Sequence, residues 1–189
     1  SHFCVADRFG NVVAVTETIN GGFGALLMAE PFGILLNNEL DDFLTVPGSA
    51  NLYGLRQSEA ALIGPGRRPL SSMSPTIVLR DGRPVLALGA SGGPRIITST
   101  LQVMLGVLAG DSLETAIAAV RLHHQWLPDE VYFDREPPNE LVESLRAAGN
   151  SISSQRRTGI VQAIQITDSG AFIGASDPRK GGRPCAPPH

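Results

Sequence analysis

With 189 residues, 42% of them apolar and 17% charged, the chain is long enough to bury one sizeable core and too short for two. Its formal net charge is only −3 and it has no basic tract, which removes nucleic acid and anionic membrane surfaces as partners suggested by composition. No apolar run reaches membrane-span length and no signal peptide is read; in a processed fragment a signal would have left with the upstream part. Twenty-one glycines and fourteen prolines point to much shaped loop backbone and few long helices.

The chain opens Ser1-His2-Phe3-Cys4-Val5 and enters a strand pattern at once. A hydroxyl residue at the head of a strand suits an N-terminal nucleophile, where one residue supplies the attacking oxygen and, through its free α-amine (pKa roughly 7.7–8.0), the general base. The alternative is that Ser1 marks only a boundary within a longer chain. Residues 3–6 and 12–19 are expected to pair across the turn at Asp7-Arg8-Phe9-Gly10-Asn11, an N-terminal hairpin over residues 1–20. Alternation then places Val12, Ala14, Thr16, Thr18 and Asn20 on one face, with Thr18 and Asn20 one pleat apart.

Gly21-Gly22-Phe23-Gly24 reads as a turn, and residues 33–38 as a short buried strand ending in polar residues. Glu39, Asp41 and Asp42 follow it, either as a cation or ammonium site or as a solvated loop. Residues 45–68 show no sustained periodicity and carry Tyr53, marking a long loop of the kind usually given to function. Residues 76–79 and 84–88 form another hairpin about Asp81-Gly82, and Gly89-Ala90-Ser91-Gly92-Gly93-Pro94 leads sharply into a helix over 95–108. Small residues at a helix start let N–H groups converge on an anion or oxyanion; without a Rossmann spacing or Walker lysine, nucleotide binding is not indicated.

Asp111-Ser112-Leu113-Glu114 reads as a capping box for a helix running to Leu122, and residues 141–148 as a third helix stopped by Gly149. His123 and His124 are neighbours and point apart, so they suit packing or supporting hydrogen bonds better than a metal. Residues 160–166 and 171–174 are late strands, and a polar tail begins at Asp177. Cys4 reads as a small core residue and Cys185 sits in the proline-rich tail; nothing supports a disulfide between them. Strands, helices and strands in that order fit an α+β or layered αββα arrangement.

Several of these pieces occur together in one family. His2-Phe3, Val15-Thr16-Glu17-Thr18-Ile19-Asn20, Gly33-Ile34-Leu35-Leu36-Asn37-Asn38-Glu39-Leu40-Asp41-Asp42-Phe43, Arg68-Pro69-Leu70-Ser71-Ser72-Met73-Ser74-Pro75, Gly92-Gly93, His123-His124-Gln125-Trp126 and Ala175-Ser176-Asp177-Pro178-Arg179 resemble the small, C-terminal subunit of γ-glutamyltranspeptidases. The resemblance implies an α+β N-terminal nucleophile hydrolase fold, an αββα sandwich of which residues 1–189 are the small-subunit portion. It implies a self-cleaving precursor whose large N-terminal subunit stays associated and supplies a carboxylate-binding arginine. It also implies cleavage of γ-glutamyl amides such as glutathione through an acyl-enzyme, with transfer to water or an amino acid, and no metal or organic cofactor. The residues leave the compartment open; the resemblance points to a periplasmic or extracellular one.

By resemblance, Asn20, Glu39 and Asp42 hold the donor's α-ammonium, and Ser71 and Ser72 its α-carboxylate. Gly92 and Gly93 supply oxyanion N–H groups, Thr18 bonds the nucleophile or its amine, and Tyr53 rides a lid-type loop over 44–68. Residues 180–189 form the tail. In the family the nucleophile is a threonine, followed by one variable residue and a histidine; since His2 has only Ser1 before it, Ser1 matches the variable position. The nucleophile is then a threonine immediately upstream of Ser1, with Ser1 itself as the replacement candidate. The rivals are a glutaryl or cephalosporin-type acylase of the same family, whose substrate lacks the α-amine, and a catalytically silent γ-glutamyl-binding subunit.

Overall fold

The computed structural model describes residues 1–186. In chain order its elements are β1 (His2–Ala6), β2 (Val12–Thr16), β3 (Met28–Ala29), β4 (Ile34–Leu35), β5 (Thr76–Arg80), β6 (Arg83–Ser91), α1 (Arg95–Ala109), α2 (Leu113–Ala118), β7 (Leu122–His123), β8 (Tyr132–Phe133), α3 (Asn139–Ala147), β9 (Ile160–Ile166) and β10 (Phe172–Ser176). Short 3₁₀ turns cover Glu39–Asp42 and Glu59–Ala61.

Four antiparallel strands in the order β10-β9-β6-β5 form the central sheet. Its two faces follow from the period-two alternation of β6 and β9. Leu86, Leu88 and Ala90, with Val161 and Ala163, point to one side and pack beneath Ile96 and Val103 of α1 and Leu113 and Ile117 of α2. Each of the large side chains there is worth about 1.5–3 kcal/mol once buried. Gly89 points to the other side, where the β1–β2 hairpin lies so close that a Cβ on Gly89 would sit 2.4 Å from the His2 ring. Cys4 Sγ reaches the Gln162 carbonyl at 3.9 Å across the same interface. The chain thus supplies three layers of the sandwich: hairpin, sheet and helices. The outer face of the hairpin, with Phe3, Val5 and Val13, stays exposed.

A buried ion network ties the end of α2 to the last strand. Arg121 and Asp177 are each 1% exposed and paired at 2.7 Å. Arg121 also donates to the carbonyls of Gly159 and Ile117, and Asp177 accepts the Val161 N–H at 2.9 Å. Burial alone would raise the Asp177 pKa; the Val161 N–H and the Arg121 charge outweigh it and hold the carboxyl below its ordinary value. Arg179, on Asp134 and Asp177, extends the network.

Several expectations need correction. Strand β2 stops at Thr16, so Thr18 and Asn20 are not placed by pleat alternation; Asn20 turns the chain at φ +69° and its N–H bonds Thr18 Oγ1 at 2.8 Å. Of residues 33–38 only Ile34 and Leu35 are strand, and both are exposed, because their sole partner is the two-residue β3. Helix α2 ends at Ala118, since Leu122–His123 leaves to pair with β8. Its cap is Ser112 accepting the Thr115 N–H, with Glu114 taking no part. Asp177 opens no solvated tail; it is core. The last three residues of the tail expected over 180–189 lie outside the described residues. Both Cys4 and Cys185 are free thiols.

Candidate active site

A cleft of about 280 Å³ opens where the ends of β1, β2 and β6 meet the start of α1. All ten residues singled out from the sequence line it: Ser1, Thr18, Asn20, Glu39, Asp42, Tyr53, Ser71, Ser72, Gly92 and Gly93.

At one end, β1 and β2 continue their ladder beyond the assigned strands. Ser1 N donates to the Glu17 carbonyl at 2.6 Å and Glu17 N to the Ser1 carbonyl at 2.9 Å, one step past the His2–Thr16 pair. The ladder thus runs to Ser1 and Glu17, and Thr18, the next residue, also lines the cleft. Thr18 Oγ1 already accepts the Asn20 N–H, which leaves its own hydrogen free to donate. His2 anchors this strand end. It is 8% exposed, with Nδ1 2.7 Å from Thr16 Oγ1 and Nε2 3.1 Å from Cys4 Sγ. Burial lowers its pKa to about 4 and pushes the Cys4 thiol up to about 12, so the pair is neutral and serves as packing.

The Glu39–Asp42 turn brings two carboxyls to the cleft, within hydrogen-bonding reach of each other. Burial raises the Glu39 pKa first, and the Asp42 charge and the bond to it raise it further. Burial also raises Asp42, seconded by the Asp41 charge and opposed by hydrogen bonds from Glu39 and Asn51. Glu39 Oε1 is buried without a hydrogen-bond partner among the described residues. Two under-solvated carboxyls suit a cationic group. The third acid is different: Asp41 accepts the Leu52 N–H at 2.9 Å and does not line the cleft.

Tyr53 spans the opening. Its hydroxyl donates to the Asn20 carbonyl at 2.9 Å, and its ring lies where a Cβ on Gly93 would come within 2.7 Å. The loop around it has almost no regular structure and is fixed instead by side chains. Asn51 Oδ1 accepts the N–H groups of Tyr53 and Leu55, both at 3.0 Å, and Gln57 donates to the Asp42 carbonyl at 2.8 Å. Ser71 Oγ accepts the Met73 N–H at 3.2 Å and keeps its hydrogen for a ligand. Neither Gly92 nor Gly93 donates its N–H within the described residues. Two free donors beside a hydroxyl-lined strand end can stabilise an oxyanion.

The sequence reading missed Arg95, Ser91, Leu55, Met73 and Ile96, which also line the cleft. Arg95 carried a signal: it is the first residue of α1, where the helix dipole disfavours a cation. His123 supports the site from behind, as the sequence suggested. It is buried between Thr98 Oγ1 (2.8 Å) and Gln125 Oε1 (3.1 Å), and Gln125 donates to the Tyr53 carbonyl at 3.1 Å. No group of three potential metal ligands is assembled among the described residues, and no described helix is long and apolar enough to cross a membrane.

The gamma-glutamyltranspeptidase family profile matches residues 1–186. The chain belongs to that family. It is 44% identical over 180 residues to a glutathione hydrolase proenzyme of Escherichia coli K12, covering 95% of this chain and 31% of that one. Among solved family members, a Helicobacter pylori gamma-glutamyltranspeptidase mutant superimposes with a TM-score of 0.90 at 44% identity, covering 95% of this chain and 99% of that one. The Pseudomonas nitroreducens enzyme, solved in complex with L-DON, gives 0.90 at 42% identity with 99% of both chains covered. The family fold is that of the N-terminal nucleophile hydrolases, as expected. The chain spans about a third of the length of the bacterial proenzymes it matches.

Proposed function

We propose that this chain is the small-subunit part of a γ-glutamyl acyltransferase and hydrolase acting on compounds such as glutathione. The observation that carries the reading is that one cleft is lined both by the Glu39–Asp42 carboxyl pair and by Gly92 and Gly93, whose N–H groups are free among the described residues. A γ-glutamyl donor has an α-ammonium, an α-carboxylate and a reacting carbonyl, and the cleft offers acceptors, hydroxyl donors and oxyanion donors in turn. Glu39 and Asp42, with Asn20, take the ammonium; Ser71 and Ser72 donate to the carboxylate.

The nucleophile is a threonine immediately upstream of Ser1. The ladder supports it, because Ser1 spends its nitrogen on the Glu17 carbonyl and lies on the strand face opposite to its predecessor's. Its hydroxyl attacks the γ-carbonyl, its own α-amine takes the proton, and the negative oxygen is held by Gly92 and Gly93. Collapse of the adduct passes that proton to the departing amine and leaves a γ-glutamyl ester. Water or an amino acid amine then attacks the ester by the same route in reverse. Tyr53 and the loop over 44–68 cover the acyl group and limit water entry.

A large subunit of the same precursor completes the site, including an arginine for the carboxylate. Support comes from the threefold greater length of the proenzymes and from the uncovered apolar side chains of the hairpin and of β3–β4, among them Phe3, Val5, Phe32 and Ile34. A glutaryl acylase is less favoured, because its substrate would leave Glu39 and Asp42 without an ammonium. Turnover of a chromogenic γ-glutamyl anilide by the two-subunit protein, with a burst of anilide, tests the reading. Binding of γ-glutamyl ligand with neither burst nor turnover would refute catalysis and leave a binding subunit.

A further inference from the structure

The Gly92–Gly93 peptide is flanked by two residues without a Cβ, at φ +142° and +62°. Local sterics therefore leave its plane free to rotate through ψ of Gly92 and φ of Gly93. The peptide is trans and planar, so its carbonyl and its N–H point in opposite directions. Whatever holds the Gly92 carbonyl aims the Gly93 N–H.

Arg95 holds it. Its Nη1 donates to the Gly92 carbonyl at 3.3 Å, and its Nε donates to Tyr132 Oη at 2.8 Å. Tyr132 is a rigid anchor: it is 4% exposed and its ring packs on His123 with centroids 5.3 Å apart. His123 is in turn fixed to α1 through Thr98. The arginine occupies the first residue of α1, the wrong end of the helix for a positive charge, and its two bonds give that placement a purpose. On the opposite side, the Tyr53 ring closes over Gly93 and limits the room for the plane to swing.

We propose that Arg95 is a positioning residue of the oxyanion site: by clamping the Gly92 carbonyl against Tyr132 it keeps the Gly93 N–H aimed into the cleft. The proposal rests on the γ-glutamyl transfer reading for its kinetic consequence, though not for its structural one. Arg95 touches no reacting atom in this scheme, so its effect should fall on the tetrahedral species and spare the ground state.

The test uses the intact two-subunit protein with Arg95→Gln and the milder Tyr132→Phe, which keeps the ring and removes only the hydroxyl. For Arg95→Gln, kcat on γ-glutamyl anilide should fall about 10–10²-fold, part of the effect of losing an oxyanion donor outright, with KM within about twofold. Affinity for a boronic acid analogue, whose tetrahedral adduct places an oxygen at the same donors, should fall in parallel with kcat, while affinity for free glutamate holds. Tyr132→Phe should show the same pattern at a few-fold, and carries the test if Arg95→Gln fails to assemble. Unchanged kcat, or equal losses for boronate and glutamate, would overturn the proposal. If the unsubstituted protein turns over no γ-glutamyl anilide, the transfer reading fails. A crystal structure of either variant then decides the inference: a rotated or disordered Gly92–Gly93 plane supports it, and an unmoved plane overturns it.

Discussion

The frame of the molecule and the rim of its cleft are stabilised by different means. In the frame, β6, β9 and the two helices bury Leu86, Leu88, Val103, Leu113, Ile117 and Val161 around a fully enclosed Arg121–Asp177 pair. The rim, from the Glu39–Asp42 turn through Tyr53 to Ser72, has little regular structure and is held by single side chains bonding backbone: Asn51 to Tyr53 and Leu55, Asp41 to Leu52, Gln57 to Asp42. The frame fixes where the strand ends and the α1 start converge; the rim brings charge and hydroxyls to that point. Substitutions in the frame should therefore appear as lost stability, and substitutions in the rim as lost affinity with folding intact.

Asp177→Ala should give the largest effect. It strands a buried guanidinium, and removing one partner of a buried pair costs about 3–5 kcal/mol, read as a lower urea midpoint of the assembled protein. A loss under about 1 kcal/mol would mean that the frame does not depend on this pair. Asp42→Ala should do the opposite, raising KM for γ-glutamyl donors by about 10–10²-fold, the value of a charge-assisted contact, while leaving the urea midpoint almost unmoved. A glutaryl donor, which has no α-amine, should be nearly indifferent to it. Equal losses on both donors would remove the ammonium role from the rim.

The same pair sets a pH signature. Glu39 and Asp42 have raised pKa values in the free protein, chiefly through burial, and the proposed ammonium role requires both to be ionised. Donor binding should thus release protons just above the ordinary carboxylate range and weaken as pH falls through it. Calorimetry in buffers of different ionisation enthalpy measures this; proton uptake would contradict it. The smallest effect is expected of Tyr53→Phe. It loses one neutral hydrogen bond to Asn20 and should change kcat/KM by about two- to tenfold.

The frame was legible in the sequence wherever pattern dictates structure. The alternation through β6 and β9, and the Asp81-Gly82 turn with both residues at positive φ, marked the central hairpin and the late strands, although β6 runs three residues past the expected end at Leu88, where Gly89, Ala90 and Ser91 pair with β9. Pattern failed where tertiary partners decide. Residues 33–38 look like a buried strand, yet only a two-residue partner reaches them. Residues 119–122 continue a helical composition, yet β8 draws Leu122 and His123 into a ladder. Asp177 reads as tail because its burial depends on an arginine 56 positions earlier. The site residues came from family resemblance, and the cleft gathers all of them. Arg95 escaped because resemblance did not assign it and its one signal, a cation at a helix start, does not say what the charge bonds.

The proposed nucleophile is a threonine immediately before Ser1, at the cleft end of the β1–β2 hairpin. Trapping the γ-glutamyl enzyme with a slow donor, followed by peptide mapping of the intact two-subunit protein by mass spectrometry, tests it directly. The adduct should sit on a threonine immediately before Ser1. An adduct on Ser1, or steady turnover with no covalent adduct, would contradict it.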